Sequence, residues 1–175
     1  EIYMGDWSSD VCSSDLPPGN LRPPGMLGDW YANVIPIRSR LLALCTNERT
    51  LLSVVIPVAP GRQFLDRFRE AAQKRIRQLP VAATLCLEES GALAELGFGR
   101  TQSRSVLASM NQLSMDAEVW LRERPSGDLE ELALRLCDTP MSALETHWPW
   151  KEAVLVLTGS RPPAVGRPGP RTDGG

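Results

Sequence analysis

Ser103-Arg104-Ser105 is the stretch whose residue types and spacing offer the most chemistry. It follows a short β-rich run at 97–101 and opens a segment with helical apolar spacing, so it is expected at a helix N-terminus. There the unpaired backbone N–H groups and the positive end of the helix dipole favour an anion. Two hydroxyls beside a guanidinium would complete a site for a phosphorylated or nucleotide ligand. The same residues also suit an ordinary cap, in which Ser103 or Ser105 accepts a first-turn amide proton and Arg104 pairs with a carboxylate such as Asp116, Glu118 or Asp138. Gly97-Phe98-Gly99, just upstream, meets neither the Rossmann nor the Walker spacing, so no cofactor is implied.

Three amides join the candidate ligand-binding set. Asn33 and Asn47 lie in or beside the predicted sheet, and Asn111 lies on the helix after the Ser-Arg-Ser corner. Each would either read a ligand or tie turns and neighbouring elements together. His147, the single histidine, lacks the GxSxG serine or HExxH partner that a triad or a zincin needs, so no catalytic residue is assigned. Cys45, Cys86 and Cys137 stand 41 and 51 residues apart among apolar neighbours, with no CxxC pair. They read as buried free thiols of a reducing cytosol and not as metal ligands.

The elements that must position these residues follow from periodicity. Runs at 30–37, 41–46 and 50–56 are β-rich and joined by connections of three residues, which favours an antiparallel meander. The second and third runs are apolar on both faces, so helices should cover the sheet on at least one side. From 62 to 79, Phe64, Leu65, Phe68, Ala72, Ile76 and Leu79 recur at steps of three and four, giving an amphipathic helix stopped by Pro80. That helix also carries six bases and two acids, a face that nucleic acid could use, although no aromatic residues interleave the bases. Residues 81–96 fit helix and strand equally. The helix after Ser105 places Val106, Leu107, Met110, Leu113, Ala117, Trp120 and Leu121 on one broad face and breaks at Pro125-Ser126-Gly127. Asp128 then caps a helix with Leu129, Leu132, Ala133 and Leu136 inward, Thr139-Pro140 is expected to open another short helix, and Trp148-Pro149-Trp150 closes the core. The fold class expected is α+β: an antiparallel sheet of at least three strands packed by two long amphipathic helices and short C-terminal ones.

Composition bounds the rest. With 42% apolar residues in 175, the chain is too apolar to be disordered and long enough for one domain with a sizeable core. No apolar run approaches the roughly 20 residues that span a bilayer, which excludes a membrane protein. The domain is expected at 28–157, with a Pro/Gly-rich linker or arm at 17–28 and a disordered Gly/Pro/Arg tail at 159–175. Residues 6–16, DWSSDVCSSDL, resemble the in-frame translation of a short-read sequencing adapter, so 1–16 are set aside as not native. Removing Glu1, Asp6, Asp10 and Asp15 from the 21 acids leaves 17 against 19 bases and moves the formal charge from −2 to +2. Neither value marks nucleic acid or a membrane surface as a partner.

Four blocks in order, Leu27-Gly28-Asp29-Trp30-Tyr31-Ala32-Asn33, Thr46-Asn47-Glu48-Arg49-Thr50-Leu51, Ser103-Arg104-Ser105-Val106-Leu107-Ala108-Ser109-Met110-Asn111 and Thr139-Pro140-Met141, resemble a family of small bacterial proteins classed only as a domain of unknown function. The resemblance covers about 27–149 and implies no activity, cofactor or partner. It also implies a further strand and helix ahead of the Gly-Asp-Trp block, where this chain carries the adapter-like segment, so an N-terminal truncation is expected. The function expected is a cytoplasmic binding or regulatory module. The alternatives are an enzyme or toxin-like protein acting on a phosphorylated or nucleotide ligand at Ser103-Arg104-Ser105, and a nucleic-acid binder using helix 62–79.

Overall fold

The computed structural model describes residues 2–4, 25–37, 40–94, 96, 98–100 and 103–160. Residues 5–24, which hold most of the adapter-like segment and of the Pro/Gly-rich arm, lie outside the described residues, as does the expected tail beyond Ser160.

The meander forms where the short connections demand it. Strands β2 (Trp30–Ile37), β3 (Arg40–Asn47) and β4 (Ser53–Pro57) pair antiparallel, with Trp30 opposite Asn47 and Cys45 opposite Val54. Two short strands extend the sheet, β1 (Ile2–Met4) and β5 (Phe98–Arg100), in the order β4-β3-β2-β1-β5. β1 runs parallel to both of its neighbours, so the complete sheet is mixed. β1 falls within residues 1–16, set aside on sequence as not native, and three residues carry too little periodicity to mark a strand there.

Both faces of the sheet are apolar, and helices cover both. On one face Trp30, Ala32, Ala43, Cys45, Val54 and Ile56 pack with α1 (Phe64–Arg77), α2 (Ala83–Ala92) and α5 (Pro149–Thr158). Trp30 meets Phe68 edge to face, with ring centroids 5.3 Å apart. On the other face Ile35, Ile37, Leu42, Leu44 and Val55 pack with α3 (Arg104–Glu123) and α4 (Leu129–Cys137). Pairing the alternation of each strand with these two helical layers makes the α+β fold a three-layer sandwich.

Three local outcomes refine the sequence reading. Residues 83–92 become α2 although their apolar residues show little helical bias, because packing against α1 settles the choice: Cys86 is buried and its thiol donates to the Ile76 carbonyl at 3.4 Å. The short helix expected at Thr139-Pro140 is absent. Thr139 Oγ1 instead donates to the Arg135 carbonyl at 3.2 Å, which ends α4, and the Met141 N–H donates to the His147 carbonyl at 2.7 Å, which closes a turn. Proline at a first helical position does occur, one element later, as Pro149 of α5. Residues 25–28 at the end of the expected arm form a packed turn, with the Gly28 N–H bonded to the Gly25 carbonyl and Leu27 fully buried.

Candidate functional site

Ser103 sits at the N-cap of α3 in extended conformation, and its Oγ accepts the Val106 N–H at 3.4 Å. Arg104 and Ser105 are exposed in the first turn. Among the described residues Arg104 forms no ion pair, and Glu118, one of its expected partners, pairs instead with Arg122 at 3.1 Å. The other candidates do not converge on this corner. Asn111 is exposed seven residues along α3, roughly 10 Å away by helical rise. Asn33 faces α3 further down and donates to Ser114 Oγ at 3.2 Å.

Asn47, the last residue of β3, is fully buried, and its amide is fully engaged. Its Nδ2 donates to the carbonyls of Leu27 and Asp29 at 3.0 and 3.1 Å, while its Oδ1 accepts from the N–H groups of Arg49 and Thr50 and from Thr50 Oγ1. It pins the 25–29 segment to the meander. The bases of helix 62–79 are mostly engaged as well: Arg67 donates to the carbonyls of Pro57 and Pro60, Arg69 pairs with Asp66 at 2.9 Å, and Lys74 pairs with Glu130.

A different polar feature lies at the outer edge of the sheet. β4 is the last strand on its side, with α1 over one face and α4 over the other. Arg67, Glu70, Ala71, Lys74 and Arg75, spaced along one stripe of α1, face Leu129, Glu130 and Ala133 of α4 across residues 54–57. Together they line an open-sided cavity of about 230 Å³. Arg75 follows Phe68 by seven residues and Ala72 by three and precedes Leu79 by four, which puts it on the buried side of α1. It is 5% exposed. Its Nη2 reaches the Glu130 carbonyl at 3.4 Å, and its Nε has no hydrogen-bond partner among the described residues. No carboxylate lies within ion-pair distance of it among those residues.

The phase of strand pairing decides what the edge offers. The Val58 N–H donates to the Leu41 carbonyl at one end of the pair and the Asn47 N–H to the Leu52 carbonyl at the other. Alternate residues therefore turn inward, and Ser53, Val55 and Pro57 direct their main-chain groups away from β3. The Cys137 thiol donates to the Ser53 carbonyl at 3.5 Å, and Arg67 covers that of Pro57. Among the described residues the N–H and carbonyl of Val55, a residue that lines the cavity, make no hydrogen bond.

Electrostatics around the cavity separate its ends. Hydrogen bonds from Lys74 and Gln78 hold the Glu130 carboxyl below its ordinary value, so Lys74 and Glu130 largely cancel. Burial pushes the Cys137 thiol up to about 11, against smaller opposing effects of its bond to Ser53 and of Arg75. It is a neutral donor, not a nucleophile. Arg75 makes no ion pair among the described residues, although its charge adds to the pull on Glu130.

A family model described as a domain of unknown function, DUF6933, matches residues 10–152. The chain belongs to that family. No curated protein matches the chain, and no solved structure does. The DUF6933 match runs into α5 and so contains both the Ser-Arg-Ser corner and the whole edge cavity, whereas β1 precedes it. Among the described residues of this DUF6933 domain, no cluster of three or more His, Cys, Asp or Glu could hold a metal ion, and no helix is long and apolar enough to cross a membrane. What the edge cavity can do is hold an anionic group against Arg75 beside two free main-chain groups. The sequence carried one signal of this, a charged residue at a core position of an amphipathic helix.

Proposed function

We propose that this DUF6933 domain is a binding module whose receiving site is the cavity at the β4 edge, with Arg75 as the group that takes an anion. The observation that carries the proposal is the buried guanidinium with an unpartnered Nε. A buried charged donor left unsatisfied costs about 1–3 kcal/mol or more, and a carboxylate or phosphate oxygen would supply the missing acceptor. At about 230 Å³ the cavity falls below the ~300–1,000 Å³ of clefts that bury drug-sized ligands, which favours one small anionic group over a whole nucleotide. The three buried unpaired thiols, Cys45, Cys86 and Cys137, support a reducing, cytoplasmic setting.

Thermal unfolding in acetate or phosphate, against chloride at equal ionic strength, tests the proposal. The wild-type midpoint should rise with one of the two anions, and Arg75→Met should abolish that response. An equal response in both proteins would place the anion elsewhere.

A second reading rests on Arg104, which is exposed and without an ion pair among the described residues at the start of a 20-residue helix. Those features support a phosphorylated ligand at Ser103-Arg104-Ser105. Phosphate stabilisation lost in Arg104→Ala but kept in Arg75→Met would select it.

A further inference from the structure

Resting on the anion reading of the edge cavity, we infer that its occupant is the C-terminal end of an extended peptide, which adds to β4 at Val55 and sets its terminal carboxylate against Arg75. Three observations converge. The first is strand phase: Val55 presents an N–H and a carbonyl outward, the donor and acceptor pair that one residue of an added antiparallel strand would complete. Its outward-facing neighbours offer less: the Cys137 thiol takes the Ser53 carbonyl, Arg67 takes the Pro57 carbonyl, and Pro57 has no N–H, so the edge suits a short terminal segment better than a long strand.

The second is charge. The lining cations Arg67, Lys74 and Arg75 outnumber the carboxylates Glu70 and Glu130 by one, and Lys74 already neutralises Glu130. The excess is positive, and Arg75 holds the buried part of it with an unsatisfied Nε. The third is the wall between these groups. Val54, Val55, Ile56, Ala71, Leu129 and Ala133 are apolar, so a side chain entering with the peptide would meet hydrocarbon. A free carboxylate such as acetate satisfies Arg75 alone. A peptide terminus satisfies Arg75, both Val55 groups and the apolar wall together, which is why the geometry favours a chain end over a small acid.

The test uses the full chain and two libraries of acetylated pentapeptides of random sequence, one ending in a free carboxylate and one in a carboxamide. Acids should bind at least about tenfold more tightly than the matching amides, the difference expected for a charge-assisted hydrogen bond to a buried guanidinium. Binding should slow hydrogen exchange at the Val55 amide, and Arg75→Met should bring the acid-to-amide ratio to about one. Equal binding of acids and amides to the wild type overturns the inference without any variant, as does acid binding that leaves Val55 exchange unchanged. Stabilisation by acetate or phosphate with no peptide binding overturns it while keeping the anion site. No response to any of these probes overturns both.

Discussion

Asn47, at the end of β3, and Arg75, on α1, are two buried polar side chains, one 0% and the other 5% exposed. Asn47 uses both of its donors and accepts three bonds, and each of its partners belongs to the fold. Arg75 has one long bond to a carbonyl and an Nε with none among the described residues. Burial is common to both; what separates them is the completeness of their hydrogen bonding, an incompleteness that Arg75 shares with Ser90 Oγ. Asn47 is a clamp. Arg75, as proposed above, is a group held ready for an anion.

The largest effect should come from breaking the satisfied side of that comparison. Asn47→Ala strands the Thr50 N–H and the Leu27 carbonyl inside the protein, and the expected loss is about 3–4 kcal/mol in chemical denaturation, as for other broken buried networks. A loss under about 1 kcal/mol would mean that water reaches the 25–29 segment and that the clamp is not needed.

Glu89 sharpens the same contrast through pH. It is buried and accepts the N–H groups of Met26 and Leu27, at 2.7 and 3.3 Å, yet burial outweighs those bonds and the attraction of Arg49, so its carboxyl lies above the ordinary 4.5. The folded protein therefore binds this proton more tightly than the unfolded chain does. The contribution is full below the unfolded value and is lost as pH rises through the folded one. Unfolding free energy measured from about pH 4.5 upward should decline across that window relative to Glu89→Gln, which has no proton to lose. Identical pH profiles for the two proteins would contradict this.

The smallest effect is expected at the exposed corner. Arg104→Ala should change stability by less than about 1 kcal/mol, because a solvated arginine without an ion pair contributes little. Calorimetric unfolding checks it, and a loss of about 3 kcal/mol would mean that Arg104 is structural after all.

These contrasts were unevenly legible in the sequence. The meander, α1, α3 and α4 could be read because their apolar residues follow periods of two or of three to four, and Asp128 caps α4 as its type suggests, accepting the Glu130 N–H at 3.0 Å. α2 could not, since its fate depends on α1 and not on its own pattern. Thr139-Pro140 misled because the cap-then-proline order also suits the end of a helix, where Thr139 bonds back to Arg135. At the sites, the polar residue types of Ser103, Arg104 and Asn47 drew attention, but their partners decide their roles and those are tertiary. On sequence Arg75 counts only among the six bases of helix 62–79, although its spacing from Phe68, Ala72 and Leu79 puts it at a core position of α1. That it borders a free strand edge depends on the pairing phase of β3 and β4, which no local pattern encodes.

Equilibrium urea unfolding of Arg75→Met beside the wild type, without added carboxylate or phosphate, tests the central claim most directly. If Arg75 is held for a ligand, removing its uncompensated charge should leave stability equal or higher, because apolar replacement of buried charge is often neutral or stabilising by about 1–4 kcal/mol. If Arg75 belongs to the fold as Asn47 does, the same variant should lose about 3–5 kcal/mol, and the account given for the edge cavity would be contradicted.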